Sequence, residues 1–140
     1  MKIIGAVLEE TGLPRPYADS QPLKVIELDL DDPGPDEVLI KIRAAGLCHS
    51  DLSTVDGNRT RPTPMLLGHE ASGIVEKVGE NVTDLEIGQQ VTTVFLPRCG
   101  ECAGCRTEGK MPCIPGSAAN NAGTLLGGGI RLHGADGEDV

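Results

Sequence analysis

The sequence predicts a mainly-β protein, a small antiparallel barrel or sandwich, and two observations carry that expectation. Several segments alternate apolar and polar residues with period two, the mark of strands that bury one face. Those segments are short, and turns rich in Gly and Pro separate them. With one Phe, one Tyr and no Trp, core volume must come from Val, Ile, Leu and Ala.

Residues 2 to 8 open the chain as the first strand. In the stretch beginning at Leu23, Ile26, Leu28 and Leu30 share one face opposite Glu27 and Asp29. Asp31-Asp32-Pro33-Gly34-Pro35 then forms a turn, because Pro fixes φ and Gly supplies positive φ. Val38, Ile40 and Ile42 face away from Lys41 and Arg43 in the next strand. A short helix is expected over Ser50 to Val55, with Ser50 or Asp51 near its cap, which sets Cys48 and His49 at a strand-to-helix junction. Ser72 to Val78 and Gln90 to Phe95 complete the strands. Residues 116–140 read as a Gly-rich tail of small residues that cannot offset its ordering entropy unaided and expects a neighbour. Gly127, Gly128 and Gly129 make no dinucleotide fingerprint, since no clear strand precedes them and no helix follows.

At 140 residues the chain suits one domain, since a chain of about 150 buries roughly 68–70% of its unfolded surface. A formal net charge of −9 argues against nucleic acid as a partner, because phosphate backbones are met by clustered Lys and Arg, which are scattered singly here. No apolar run reaches the roughly 18 residues of a membrane span, and the N-terminus lacks the pattern of a cleaved leader. A soluble cytoplasmic protein without a membrane partner is expected. Five cysteines, an odd number with four crowded together, suit metal ligation in a reducing compartment better than disulfides.

Those four, Cys99, Cys102, Cys105 and Cys113, follow C-x2-C-x2-C-x7-C within a lobe spanning about residues 97–114. Three thiols at i, i+3 and i+6 can turn inward from a tight loop, and a fourth on the returning chain completes a tetrahedron, which is what a closed structural Zn2+ site requires. An iron–sulfur cluster would also take the first three. The seven-residue last gap and the proline before Cys113 favour zinc. The lobe has almost no apolar residues of its own, so the metal should hold it together.

Cys48 and His69 are weak signals singly, since a lone cysteine is most often a small buried hydrophobe. Their surroundings, Gly46-Leu47-Cys48-His49-Ser50-Asp51 and Leu67-Gly68-His69-Glu70-Ala71-Ser72-Gly73, each set a zinc-ligand type beside a carboxylate. A ligating histidine needs its other nitrogen held by an acceptor, and Asp51 and Glu70 are the candidates. His133 has no partner pattern and reads as a solvated loop residue. Arg59 and Arg61 precede the Pro62-Thr63-Pro64 turn, where solvation is the simpler reading than a role at a substrate cleft.

Together, Ala45 to Asp51, Gly68-His69-Glu70 with Gly73-Ile74-Val75, the Gly79-x-x-Val82 to Gly88 turn and the four-cysteine lobe resemble the zinc-dependent medium-chain alcohol dehydrogenases. The likeness runs nearly end to end. It implies a GroES-like β-barrel catalytic domain over residues 1–140, with a short helix or two, followed in that family by a Rossmann domain that binds NAD or NADP. By matching position Cys48 and His69 would be ligands of a catalytic zinc, Cys99, Cys102, Cys105 and Cys113 ligands of a structural zinc. Ser50 would bind the substrate hydroxyl and pass its proton, His49 would help hold the cofactor pyrophosphate, and Asp51 and Glu70 would support the metal. The implied function is oxidation of a primary or secondary alcohol to the aldehyde or ketone, by an enzyme that is a homo-oligomer at full length.

Departures qualify the likeness. The family's third catalytic ligand is a cysteine beyond the lobe, and none follows Cys113. The Rossmann domain is absent, so the 140-residue chain alone is expected to be inactive. Ser53 stands where some members carry a relay histidine, and Gln89 replaces an acidic residue. The competing expectation is a stand-alone zinc-binding β-barrel with a structural or interaction role.

Overall fold

The computed structural model describes residues 1–140, and its strands form two antiparallel sheets. β1 (Lys2–Leu8) pairs with β2 (Leu23–Leu30) along its whole length, from Lys2 opposite Asp29 to Leu8 opposite Leu23. β4 (Met65–Leu66) lies on the other edge of β1, and β7 (Leu132–His133) on the other edge of β2. The second sheet sets β5 (Glu70–Val78) between β3 (Val38–Gly46) and β6 (Gln90–Thr92). Val7, Leu8, Leu28, Val55 and Val75 are the buried apolar centre. Leu28 is the deepest of the three apolar residues expected on one face of β2, with Ile26 and Leu30 half-buried.

Two strands depart from simple alternation. Register shifts between Leu39 and Ile40 and between Ile42 and Ala44 interrupt the β3–β5 ladder. Such bulges re-aim side chains, so Val38 and Ile40 are half-buried whereas Ile42, expected on the same face, is 51% exposed. β6 ends at Thr92 rather than reaching Phe95. Thr93 instead closes the ladder with its side chain: its hydroxyl donates to the His69 carbonyl at 2.6 Å and accepts from the Ala71 amide at 3.0 Å.

The expected short helix is α2 (His49–Val55), which follows α1 (Tyr17–Ser20) in the chain. Its N-cap is Cys48 rather than Ser50 or Asp51; Asp51 occupies the third helical position and accepts the Cys48 amide. The loop before α1 is fastened to the far end of α2. Gly12 donates to the Val55 carbonyl at 2.8 Å, Arg15 grips both oxygens of Asp56 at 2.7 and 2.9 Å, and the Tyr17 hydroxyl donates to the same carboxylate.

The region read as a Gly-rich tail carries two regular elements, a helix that ends before Gly127 and a short strand after Gly129. α3 (Ile114–Ala122) is capped by the Cys113 sulfur, which accepts from the Gly116 amide, and ends at Gly123 in the left-handed conformation with φ 72°. Its small residues allow close approach: a Cβ at Gly116 would stand 2.0 Å from the Pro97 carbonyl oxygen. β7 then pairs with β2, fixed by Arg131 on Glu37 at 3.0 and 3.2 Å. His133 is likewise not a solvated loop residue, because its Nε2 lies 3.0 Å from Asp31 and its Nδ1 3.0 Å from Asp139. Those two carboxylates, Asp31 first, raise its pKa above the ordinary value.

Candidate metal centres and the adjoining cleft

Cys48 and His69 are 21 residues apart in sequence and meet because of strand pairing. Gly46 opposes Glu70 at the open end of the β3–β5 ladder, so the residue beginning α2 and the residue preceding β5 leave the sheet together. Asp51, 7% exposed, joins them. One carboxylate oxygen accepts the Cys48 amide at 3.0 Å, and the other lies 3.0 Å from His69 Nδ1. A proton on Nδ1 facing that carboxylate leaves Nε2 as the free lone pair, the arrangement that metal-binding imidazoles need. Cys48, His69 and Glu70 offer ligand atoms that all lie within 4.8 Å of one another. The donor set therefore fits a borderline-soft cation such as Zn2+. Glu70 takes the position of a third ligand type, and Asp51 alone of the two carboxylates supports the histidine.

A cavity of about 290 Å³ opens beside this group, with Ser50, Asp51, His69, Phe95, Arg59 and Arg61 in its lining. Ser50 thus shares the cleft with His69. Phe95 meets the His69 ring edge-on at 6.3 Å. His49 is exposed at the first position of α2, where the Ser53 hydroxyl donates to its carbonyl at 3.1 Å. On an adjoining surface Leu47, Cys48, Leu52 and Leu67 line a more apolar cavity of about 440 Å³. Leu47 there is 87% exposed.

The four-cysteine lobe closes on itself. None of its thiols is in a disulfide, and the four sulfurs lie within 4.8 Å of one another. Cys99 and Cys105 are 4.0 Å apart, Cys102 and Cys113 3.9 Å. Four sulfurs at about 2.3 Å from a tetrahedral zinc stand about 3.8 Å apart, so the cradle already has the right size. Backbone amides point at the sulfurs: Cys99 and Gly116 donate to Cys113 at 3.3 Å each, and Cys102 donates to Cys99 at 3.4 Å. Amides aimed in this way favour thiolate. They pull Cys102, chiefly through Ile114, down to about 6, while burial pushes Cys105 up to about 11. One negative sulfur discourages the next until a cation joins them.

The structure thus assembles Cys48, Ser50, Asp51, His69 and Glu70 in one place and Cys99, Cys102, Cys105 and Cys113 in another. It adds residues that the sequence reading did not assign there. Thr93 holds the His69 backbone, and Asn120 donates to the Phe95 carbonyl at 2.6 Å while accepting from Arg61 at 2.8 Å. No local pattern marks either, since each acts across more than twenty residues of chain.

A family model for the alcohol dehydrogenase GroES-like domain matches residues 34–135. Among curated relatives, a Mycobacterium tuberculosis protein provisionally named alcohol dehydrogenase D is 43% identical over 133 residues, covering 95% of this chain and 34% of its own. The NDMA-dependent alcohol dehydrogenase of Amycolatopsis methanolica is 39% identical, with 95% and 33% covered. Among solved structures, an alcohol dehydrogenase zinc-binding domain protein from Burkholderia ambifaria superposes with a TM-score of 0.85 at 34% identity, over 100% of this chain and 35% of its own. Benzyl alcohol dehydrogenase from Acinetobacter calcoaceticus gives 0.78 at 35% identity, over 94% and 34%. The chain spans about a third of the length of these proteins.

Proposed function

The chain belongs to the alcohol dehydrogenase GroES-like domain family, and from that premise we propose that it is the zinc-binding catalytic portion of an enzyme that oxidises an alcohol by hydride transfer to NAD or NADP. The observation that carries this reading is the buried Asp51 carboxylate, which holds Cys48 and His69 together at the mouth of a cleft shared with Ser50.

Cys48 and His69 would hold the catalytic zinc, with Glu70 in reach, and the four cysteines of the lobe a structural one. Zinc with an open position supplies Lewis acidity, lowering the pKa of a bound hydroxyl, in the case of water to about 7. The chain's own residues do the rest. Asp51 keeps the His69 ring turned and its Nδ1 protonated. Ser50 would accept a hydrogen bond from the substrate hydroxyl and pass a proton to solvent water, and Met65, Leu66 and Phe95 give the cleft an apolar wall. His49, exposed on the first turn of α2, would meet the cofactor phosphates.

The exposed apolar surface around Leu47 and Leu52 favours this reading over a free-standing module. A face of that kind suits a catalytic domain covered by a nucleotide-binding neighbour, the reading we also give to residues 1–140 as a domain.

Two measurements test the proposal. Chain purified without chelators should carry about one tightly held Zn2+, because only the four-cysteine set closes around the metal with four ligands; a value near zero removes the structural site. In a longer product that includes a nucleotide-binding domain, Cys48→Ser should abolish alcohol-dependent reduction of NAD or NADP while the lobe keeps its zinc. Unchanged turnover takes Cys48 out of the site.

A further inference from the structure

We propose that the cleft beside Ser50 and His69 selects a substrate that carries a carboxylate as well as its hydroxyl, and that Arg59 and Arg61 receive that carboxylate. The inference rests on reading the cleft as an alcohol site and adds the chemical class of the alcohol.

The chain holds 21 Asp and Glu against 12 Lys and Arg, and five of those basic side chains meet a carboxylate; of the seven that do not, only Arg59 and Arg61 are half-buried. Three arginines are half-buried: Arg59, Arg61 and Arg131. Arg131 is paired with Glu37. Arg59 and Arg61, both in the cleft lining, have no carboxylate within ion-pair distance. The one acidic residue of that lining, Asp51, already serves Cys48 and His69.

Neutral groups hold Arg61 in place without offsetting its charge. Its two terminal nitrogens donate to the side-chain carbonyls of Asn121 and Asn120, each at 2.8 Å. Asn120 is tied in turn to the Phe95 carbonyl, and the Phe95 ring lies against His69. The guanidinium is therefore fixed relative to the reacting end of the cleft. Arg59 makes no side-chain hydrogen bond and is free to close on a ligand. Burial and then the adjacent charge of Arg59 lower the Arg61 pKa, an unfavourable pairing that an anion would relieve. A guanidinium's planar fork suits a carboxylate. The same lining offers Leu66 and Phe95 for an apolar body, and about 290 Å³ admits a small molecule.

The test uses three ligands on the 15N-labelled, zinc-loaded chain, with dissociation constants read from amide shifts: 6-hydroxyhexanoate, its methyl ester, and hexanoate. The hydroxy acid should bind about tenfold or more tightly than the ester, with the margin shrinking as salt is raised. In Arg59→Gln plus Arg61→Gln that margin should fall to within about twofold. Arg59→Gln alone should reduce it several-fold, and because the Arg59 side chain bonds to nothing in the chain, this variant keeps the test valid should loss of Arg61 loosen α3. Acid and ester binding equally, with shifts at Ser50 and His69, overturns the carboxylate selection and leaves the alcohol site standing. Hexanoate binding as tightly as the hydroxy acid, with shifts confined to the arginine side, upholds the anion role and removes the alcohol reading.

Discussion

Asp51→Asn is a nearly isosteric change whose effect can be worked from two hydrogen bonds. Each carboxylate oxygen now serves a different donor, the Cys48 amide and His69 Nδ1, both at 3.0 Å. An asparagine offers one oxygen and one NH2, so with Nδ1 protonated, as a metal on Nε2 requires, one donor meets another donor in either orientation. At a residue 7% exposed, water cannot easily repair that mismatch. Hydrogen bonds to a charged group are worth about 1.5–3 kcal/mol, and a stranded buried donor costs about 1–3 kcal/mol, so the variant should lose about 2–3 kcal/mol of stability. For a chain of this length that is a fall in melting temperature of roughly 6–12 °C. Loss of the histidine's support should weaken metal binding at Cys48 and His69 by about 10–100-fold. Zinc competition against a chromophoric chelator reads the two sites separately. The four-cysteine site should be unmoved, since none of its sulfurs touches Asp51. Equal weakening at both sites, or at neither, would refute the reasoning, and so would an unchanged melting temperature.

Two further outcomes follow from the lobe and from β7. Gly104 has ordinary right-handed helical angles that alanine accepts, yet a Cβ there would stand 2.1 Å from the Pro112 carbonyl oxygen, in the peptide leading into Cys113. Gly104→Ala should therefore displace the fourth ligand and lose zinc to a chelator that leaves the parent chain loaded; equal retention contradicts the packing argument. His133 has a folded-state pKa above its ordinary value of about 6.5, so the stability it contributes is complete below that value and fades as pH rises through the raised one. Melting temperatures of the parent should fall as pH rises from neutral towards alkaline, with a shallower fall in His133→Gln. Identical slopes would show that Asp31 and Asp139 do not hold the histidine as a charged group.

Much of the fold was legible because strand alternation is a local property: Leu28 is buried and its neighbours Glu27 and Asp29 are not. Ile42 escaped the pattern because the register shifts on either side of it, at Leu39/Ile40 and Ile42/Ala44, belong to the pairing with β5, which periodicity in β3 alone does not encode. The lobe was legible for a chemical reason, since four thiols at close spacing have few other uses in a reducing environment. α3 was not, because small residues look like a linker until a neighbouring backbone, here Pro97, comes close enough for their smallness to matter.

The sequence by itself determined the ligand types, their crowding and the strand-rich architecture, all of which depend on residues near one another in the chain. Tertiary structure alone decided which carboxylate serves His69, that His133 is clamped, and that Arg59 and Arg61 face a cleft whose one acid, Asp51, is already engaged. Arg61 and Asn120 are 59 residues apart. Whether a charge is paired depends on distances set by folding, and side chains so far apart in sequence acquire a distance only when β3, β5 and α3 are packed together.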